Sequence, residues 1–167
     1  MTPAQLLDDA YGRVRENALA AVDGLTADDL AYRPTPEANS IAWLVWHLSR
    51  VQDDHVADVA GTPQVWTEEG YARRLRLPLD DEDTGYGHNP EQVGQVRASA
   101  EDLAAYLEAV HAASARYLAT LGPDDLDHVV DTRWDPPVTL GVRLVSVADD
   151  GAQHAGQAAY VRGLLGR

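Results

Sequence analysis

The 167-residue sequence contains neither cysteine nor lysine. Without cysteine the chain cannot form a disulfide, a thiolate metal site or a cysteine nucleophile, so any metal must be bound by histidine, carboxylate or backbone oxygen. The 13 basic residues are all arginines and face 27 acidic ones, which gives a formal net charge of −14. Nucleic acids and anionic membranes attract clustered positive charge. We therefore expect this chain to bind neither of them.

Long apolar segments are also missing from the sequence. No run approaches the length of about 20 residues that spans a membrane. The N-terminal stretch "MTPAQLLDDAYGRVRENALAAV" is acidic and interrupted by charges, and it lacks the basic start and apolar block of a signal peptide. These features predict a cytoplasmic protein. The length and the 45% share of hydrophobic residues suffice for a single domain with its own core, spanning 1–167.

Apolar residues recur at helical spacing in four segments. The predicted helices cover residues 3–23, 41–61, 90–121 and 140–165. No segment alternates convincingly as a strand does, although "DHVVDTRW" at 127–134 could form a brief extended edge. The pattern predicts an all-α fold, a four-helix bundle with a long crossover connection between the second and third helices.

The connection between residues 61 and 90 is long and rich in glycine, proline and acidic residues. Connections of this length are uncommon in compact domains and are often functional. A short helix around Trp66–Leu75 is compatible with its sequence. Its aromatic residues are candidates for the wall of a substrate pocket. They are Trp66, Tyr71 and Tyr86.

The chain has six histidines, of which three are predicted to have no chemical role. His88 and His128 lie in connections among polar residues, where histidine is usually solvated. His111 lies at the edge of the third predicted helix.

His47 lies in the apolar stretch "WLVWHLSR", beside the buried stripe of the second helix. A lone histidine there is compatible with a core imidazole whose nitrogens are hydrogen-bonded. Asp54 lies nearly above His47 two turns later, and His55 falls on the central stripe. Asp54 could be solvated or could orient a histidine. His55 could be a core residue or an alternative metal ligand.

The stretch "DDGAQHAGQ" at 149–157 places Asp150 and His154 four residues apart, on one face of a helix. Asp149 points about 140° away from His154 and is not the partner. Taken alone, the pair is equally compatible with a weak surface ion pair and with half of a metal site. Gly151 and Gly156 each cost a helix about 1 kcal/mol relative to alanine, which favours a close approach by another helix or a ligand.

The two helices together indicate more than either alone. Helix bundles build metal sites from side chains that project inward from facing helices. His47 with Asp150 and His154 supplies two imidazoles and one carboxylate. This donor set suits zinc with an open coordination position, and also iron or nickel.

Two motifs carry a family resemblance. "NSIAWLVWHLSRVQDDH" at 39–55 and "ADDGAQHAGQAAYVRGLLG" at 148–166 resemble the DinB-like superfamily, which includes the N-terminal domain of mycothiol-dependent maleylpyruvate isomerase and the bacillithiol transferases. The resemblance implies a crossover four-helix bundle, often a homodimer, with a divalent metal bound by three side chains near one end. It assigns the ligand positions to His47, Asp150 and His154. Relatives carry His or Glu where this chain has Asp150, whose shorter side chain must approach the metal more closely.

The resemblance also implies an activity, namely metal-dependent S-transfer from a low-molecular-weight thiol such as mycothiol to a small electrophile. Zinc is the preferred metal, with nickel or iron as alternatives, and metal-bound water would instead give a hydrolase. Maleylpyruvate isomerisation does not carry over, because the isomerase has an additional C-terminal domain. The alternative is a non-catalytic, metal-free bundle that binds a small molecule or serves in stress. DNA binding, which the superfamily name suggests, conflicts with the charge of −14.

Overall fold

The computed structural model describes all residues, Met1–Arg167, and is mostly helical. The α-helices are α1 (Pro3–Val22), α2 (Ala27–Ala31), α3 (Ile41–Ala60), α4 (Val65–Glu68), α5 (Tyr71–Leu75), α6 (Pro90–Gln95), α7 (Ala100–Leu118) and α8 (Leu140–Leu164). A 3-10 helix (Pro123–Asp127) and two short strands, β1 (Val129–Asp131) and β2 (Val138–Thr139), lie between α7 and α8. None of the helices combines the length and apolar character needed to cross a bilayer.

The four long helices α1, α3, α7 and α8 enclose the main core. Both α1 and α3 pack against α7 on one side and α8 on the other. Each of the four begins at a hydroxyl residue whose side chain accepts a hydrogen bond from a backbone N–H in the first turn. These residues are Thr2, Ser40, Ser99 and Thr139. Local sequence therefore determines where each long helix starts.

The third predicted helix, 90–121, is divided in the structure. It forms α6 and α7, separated by an extended segment at 96–99. The division arises because Ser99 Oγ accepts a hydrogen bond from the backbone N–H of Asp102 at 3.1 Å, which starts a new helix. Val93 and Val96 are buried nonetheless. The apolar pattern located the buried side chains correctly but missed the break in the backbone.

A small antiparallel hairpin forms where the sequence allowed an extended edge. Strands β1 and β2 pair with a register irregularity between Val129 and Asp131. The hairpin brings Asp131 to α8, where its carboxylate accepts a hydrogen bond from Arg143 Nη2 at 3.2 Å. It thereby covers the N-terminal part of α8.

Gly151 allows α8 to lie close to α1. A Cβ added at Gly151 would lie 2.9 Å from Val14 Cγ1, whereas one added at Gly156 would meet nothing within 4 Å. We expect Gly151→Ala to be less stable than Gly156→Ala by about 1–3 kcal/mol, the usual cost of overpacking. Both variants gain the same helix propensity, so urea unfolding of the pair measures packing alone. Equal free energies of unfolding would contradict this account.

Candidate metal centre

Helices α3 and α8 bring His47, Asp150 and His154 together. One potential ligand atom from each residue lies within 4.8 Å of those of the other two. The two imidazoles meet edge to face, with ring centroids 4.7 Å apart. His47 is buried, and the side chains of His154 and Asp150 are 17% and 32% exposed. The three residues singled out in the sequence are therefore neighbours, with one side of the cluster open to solvent.

Hydrogen bonds to carbonyl oxygens determine which nitrogen of each imidazole is available. His47 Nδ1 donates to the carbonyl oxygen of Thr84 at 2.5 Å, and His154 Nδ1 donates to that of Asp150 at 2.8 Å. A carbonyl oxygen can only accept, so each neutral ring carries its proton on Nδ1. Each Nε2 therefore keeps its lone pair, which is the state that a metal ion requires.

The carboxylate of Asp150 has an unusual environment. Its Oδ2 atom is buried and has no hydrogen-bond partner. His154 Nδ1 lies 3.4 Å from this oxygen, but its proton points to the Asp150 carbonyl. An unpaired buried oxygen of this kind costs free energy unless something else satisfies it. A cation beside the two free Nε2 atoms would do so, and this donor set fits a divalent metal.

Burial and charge act in opposite directions on this cluster. Burial lowers the pKa of His47. Burial raises the pKa of Asp150, but the imidazoles, first of all His154, outweigh it and the net pKa is lowered. Burial lowers the pKa of His154, but the adjacent carboxylate and carbonyl of Asp150 outweigh it and the net pKa is raised. At neutral pH the Asp150 carboxylate is therefore ionised and His47 is neutral, whereas the proximity of Asp150 favours the protonated form of His154.

A cleft of about 560 Å³ opens beside His47 and Asp150. Its volume is in the range of small-molecule sites. The hairpin, α8, α3 and the loop after α5 form its walls, and two strongly exposed aromatic residues, Tyr86 and Trp134, lie along it. A second cleft of about 540 Å³ between α3 and α7 contains none of the three clustered residues. The cleft beside His47 is therefore the candidate substrate pocket.

Only one of the three predicted wall aromatics lines this cleft. Tyr86 does, but Trp66 is buried beneath the guanidinium of Arg50, 5.1 Å from its ring centroid. Tyr71 packs on Tyr106 with the ring centroids 5.1 Å apart. The prediction was wrong for Trp66 and Tyr71 because both lie on short helices that fold back onto the core.

Asp54 and His55 lie near the cluster but have other partners. Asp54 accepts a hydrogen bond from Gln64 Nε2 at 2.7 Å. His55 Nδ1 accepts one from Arg143 Nη1 at 3.2 Å. Both line the cleft and are half-exposed, and neither belongs to the set of clustered ligand atoms. The cluster of ligand atoms therefore forms without His55, and its role as an alternative ligand stays a prediction.

The prediction that His88 is solvated was wrong. Its side chain is only 3% exposed, whereas His128 is 71% exposed, as predicted. His88 Nδ1 accepts from Trp43 Nε1 at 3.1 Å, and its Nε2 donates to the Asp83 carboxylate at 2.9 Å. No local pattern reveals the contact with Trp43, because it joins a loop to a helix 45 residues away.

The loop that contains Thr84 approaches α3 very closely. Gly85 has a φ of +90°, which favours glycine, and an added Cβ would lie 2.8 Å from His47 Nδ1. A side chain at this position would displace the loop. The glycine therefore allows the Thr84 carbonyl to reach His47.

Sequence comparison assigns the chain to a family. The model of the family described as mycothiol-S-transferase matches residues 6–166, nearly the whole chain. The chain belongs to the mycothiol-S-transferase family. This is a DinB-like family, in agreement with the resemblance carried by the two motifs.

A solved structure shares the fold of this chain. A crystal structure of a conserved protein from Enterococcus faecalis is 32% identical, with a TM-score of 0.93. The match covers 100% of this chain and 99% of that one. No curated protein matches the chain. The relative is described only as a conserved protein, so the similarity concerns the fold.

Proposed function

We propose that this mycothiol-S-transferase family member is a divalent-metal-dependent enzyme that transfers a low-molecular-weight thiol, such as mycothiol, to a small electrophile. His47, Asp150 and His154 would hold the metal, with zinc preferred over nickel or iron. In this proposal residues 1–167 form one domain, whose long helices constitute the four-helix bundle of the DinB-like superfamily. A homodimer and a cytoplasmic location stay predictions.

The unpartnered Oδ2 of Asp150 carries the metal proposal. This buried oxygen belongs to the same cluster as His47 and His154, whose Nε2 atoms both keep their lone pairs. Atoms bound to one tetrahedral zinc ion at about 2.1 Å lie about 3.4 Å apart. The candidate ligand atoms lie within 4.8 Å of one another, so metal binding requires them to approach by up to about 1.4 Å, which rotations of the three side chains can provide. The shorter side chain of Asp150 is thus compatible with a ligand role.

Residues of the cleft would bind and orient the substrates. Because the protein has no cysteine, the sulfur nucleophile must come from a thiol substrate bound in the cleft. A divalent cation in the cluster would supply Lewis acidity, which favours the thiolate at neutral pH. Tyr86 and Trp134 offer broad faces against which a small substrate can pack. Arg143 donates hydrogen bonds to Asp131 and His55, which fix its guanidinium at the wall of the cleft.

A transfer assay tests this proposal. Untagged protein loaded with Zn²⁺, Ni²⁺ or Fe²⁺ is mixed with mycothiol and a bimane electrophile, and conjugate formation is followed by fluorescence. We expect conjugation well above the uncatalysed rate with one of these metals, and its loss after chelation. Glutathione in place of mycothiol tests the choice of thiol. A metal-loaded protein that forms no conjugate with either thiol would favour the non-catalytic alternative, and a protein that binds none of the metals would exclude the proposed mechanism.

A further inference from the structure

His88 is a loop residue whose imidazole is completely engaged. Its Nδ1 accepts a hydrogen bond from the indole N–H of Trp43, and its Nε2 donates to both oxygens of the Asp83 carboxylate, each at 2.9 Å. The ring also stacks on Trp46, with centroids 5.9 Å apart and an interplanar angle of 21°. The arrangement leaves one tautomer and one orientation for this ring.

Trp43 connects His88 to both histidines of the candidate metal centre. Its indole stacks on the imidazole of His47, with ring centroids 4.5 Å apart and an interplanar angle of 13°. The same indole lies 6.1 Å from the ring of His154. An indole has one N–H, and here that donor is bound by His88. The bond therefore prevents the indole from rotating away from the face of His47.

Asp83 connects His88 to His47 through the backbone. One oxygen of the Asp83 carboxylate also accepts from the backbone N–H of Gly85 at 2.8 Å, and the N–H of His88 donates to the Gly85 carbonyl at 3.2 Å. These bonds close a turn around Thr84, whose carbonyl receives the Nδ1 proton of His47. The position of that carbonyl thus depends on the pairing of His88 with Asp83.

We propose that His88 is a positioning residue of the metal centre: through Trp43 and through the Asp83–Gly85 turn it holds the His47 ring beside His154, with Nδ1 bonded to the Thr84 carbonyl and Nε2 free to bind a metal. His88 itself does not belong to the cluster of ligand atoms. The inference rests on the proposed function insofar as it treats His47 as a ligand. Residues that orient a metal-binding histidine typically change metal affinity by about 10- to 100-fold when they are replaced.

Zinc binding by His88→Phe tests the proposal. Phenylalanine keeps the ring volume and loses both hydrogen bonds. We expect its affinity for Zn²⁺ alone, measured by competition with a chromophoric chelator, to fall about 10- to 100-fold. His88→Asn keeps an acceptor for Trp43, and His88→Gln keeps a donor for Asp83, so each should recover part of the affinity. The control is His128→Phe, in which a histidine that is 71% exposed is replaced, and it should bind zinc like the wild type.

The tautomer of His47 in the metal-free protein provides an independent measurement. Long-range ¹H–¹⁵N NMR should show the Nδ1-protonated form in the wild type and a mixture of forms in His88→Phe. If His88→Phe does not fold, Trp43→Phe is the second variant: it removes the indole N–H and keeps one aromatic ring. We expect it to show the same loss of Zn²⁺ affinity and the same mixture of His47 tautomers. A folded variant with wild-type zinc affinity and an unchanged His47 tautomer would overturn this inference. A wild type that binds no zinc would instead overturn the proposed function, and the NMR result would then decide the role of His88.

Discussion

We expect the His154→Ala variant to purify without bound metal, whereas the wild type carries one divalent ion per chain. Removal of His154 takes away one of the three proposed ligands and the imidazole that lies beside the Asp150 carboxylate. His47→Ala should have the same effect, because its Nε2 is the only free donor from α3 in the cluster. Each loss should exceed the roughly 10- to 100-fold change typical of residues that merely orient a ligand. Inductively coupled plasma mass spectrometry of untagged protein measures it.

His55→Ala and His128→Ala are the matched controls for this experiment. His55 lies in the same cleft but is hydrogen-bonded to Arg143, and His128 is exposed on a distant connection. Both variants should retain the metal. Retention in His154→Ala, or loss in His55→Ala, would show that the ligand set is different. A wild type that stays metal-free after incubation with zinc, nickel and iron would refute a metal role for all three residues.

We expect Arg50→Met to lower the free energy of unfolding by about 3–5 kcal/mol, the range measured when one partner of a buried ion pair is removed. Arg50 is completely buried and lies 3.7 Å from the carboxylate of Asp53. Its guanidinium also donates to Gln64 and to the carbonyl oxygens of Asp81 and Asp83. Methionine fills similar space but leaves the Asp53 carboxylate without its neighbouring cation and the other acceptors without their donor. Asp53 keeps its hydrogen bonds from Val65, Trp66 and Tyr106. Urea unfolding measures the loss.

The pH dependence distinguishes a charge effect from simple loss of packing. Burial raises the pKa of Asp53 above its ordinary value, and Arg50 opposes that rise. Without Arg50 the pKa of folded Asp53 should rise further, while in the unfolded chain it stays near 3.9. A carboxyl group with a raised folded pKa destabilises the fold when ionised, and protonation relieves this cost. The difference in free energy of unfolding between Arg50→Met and the wild type should therefore become smaller as the pH is lowered from 8 to 5.

Arg116→Met is the control for Arg50→Met. Arg116 lies on α7 and is exposed, and surface replacements usually change stability by less than about 0.5 kcal/mol. A penalty for Arg50→Met that is equally small, or one that does not change with pH, would contradict the importance of its pairing with Asp53.

The candidate metal residues were accessible from sequence because local geometry carries much of the information. A separation of four residues on a helix places Asp150 and His154 on one face, whatever the rest of the fold does. The apolar surroundings of His47 indicated that it faces inward. What spacing did not reveal was the unpartnered Oδ2 of Asp150, because it depends on which way the proton of His154 points.

The burial of His88 and Arg50 was not predicted from the sequence, for a physical reason. His88 lies in a polar connection, and its burial results from Trp43 and Trp46, which are more than 40 residues away in sequence. Arg50 follows an apolar stretch and could be taken for a surface residue, yet its guanidinium fills the interior by bonding to loop carbonyls. Neither pattern of contacts has a local signature.

The amino-acid sequence alone determined the four long helices, since helical periodicity and Ser or Thr caps are local properties. It also determined that two imidazoles and one carboxylate could serve as metal ligands, and that any sulfur nucleophile must come from outside the chain. Only the tertiary structure decided which residues orient those ligands and which aromatics border the cleft. These features depend on contacts between distant segments, and such contacts arise from packing rather than from spacing along the chain.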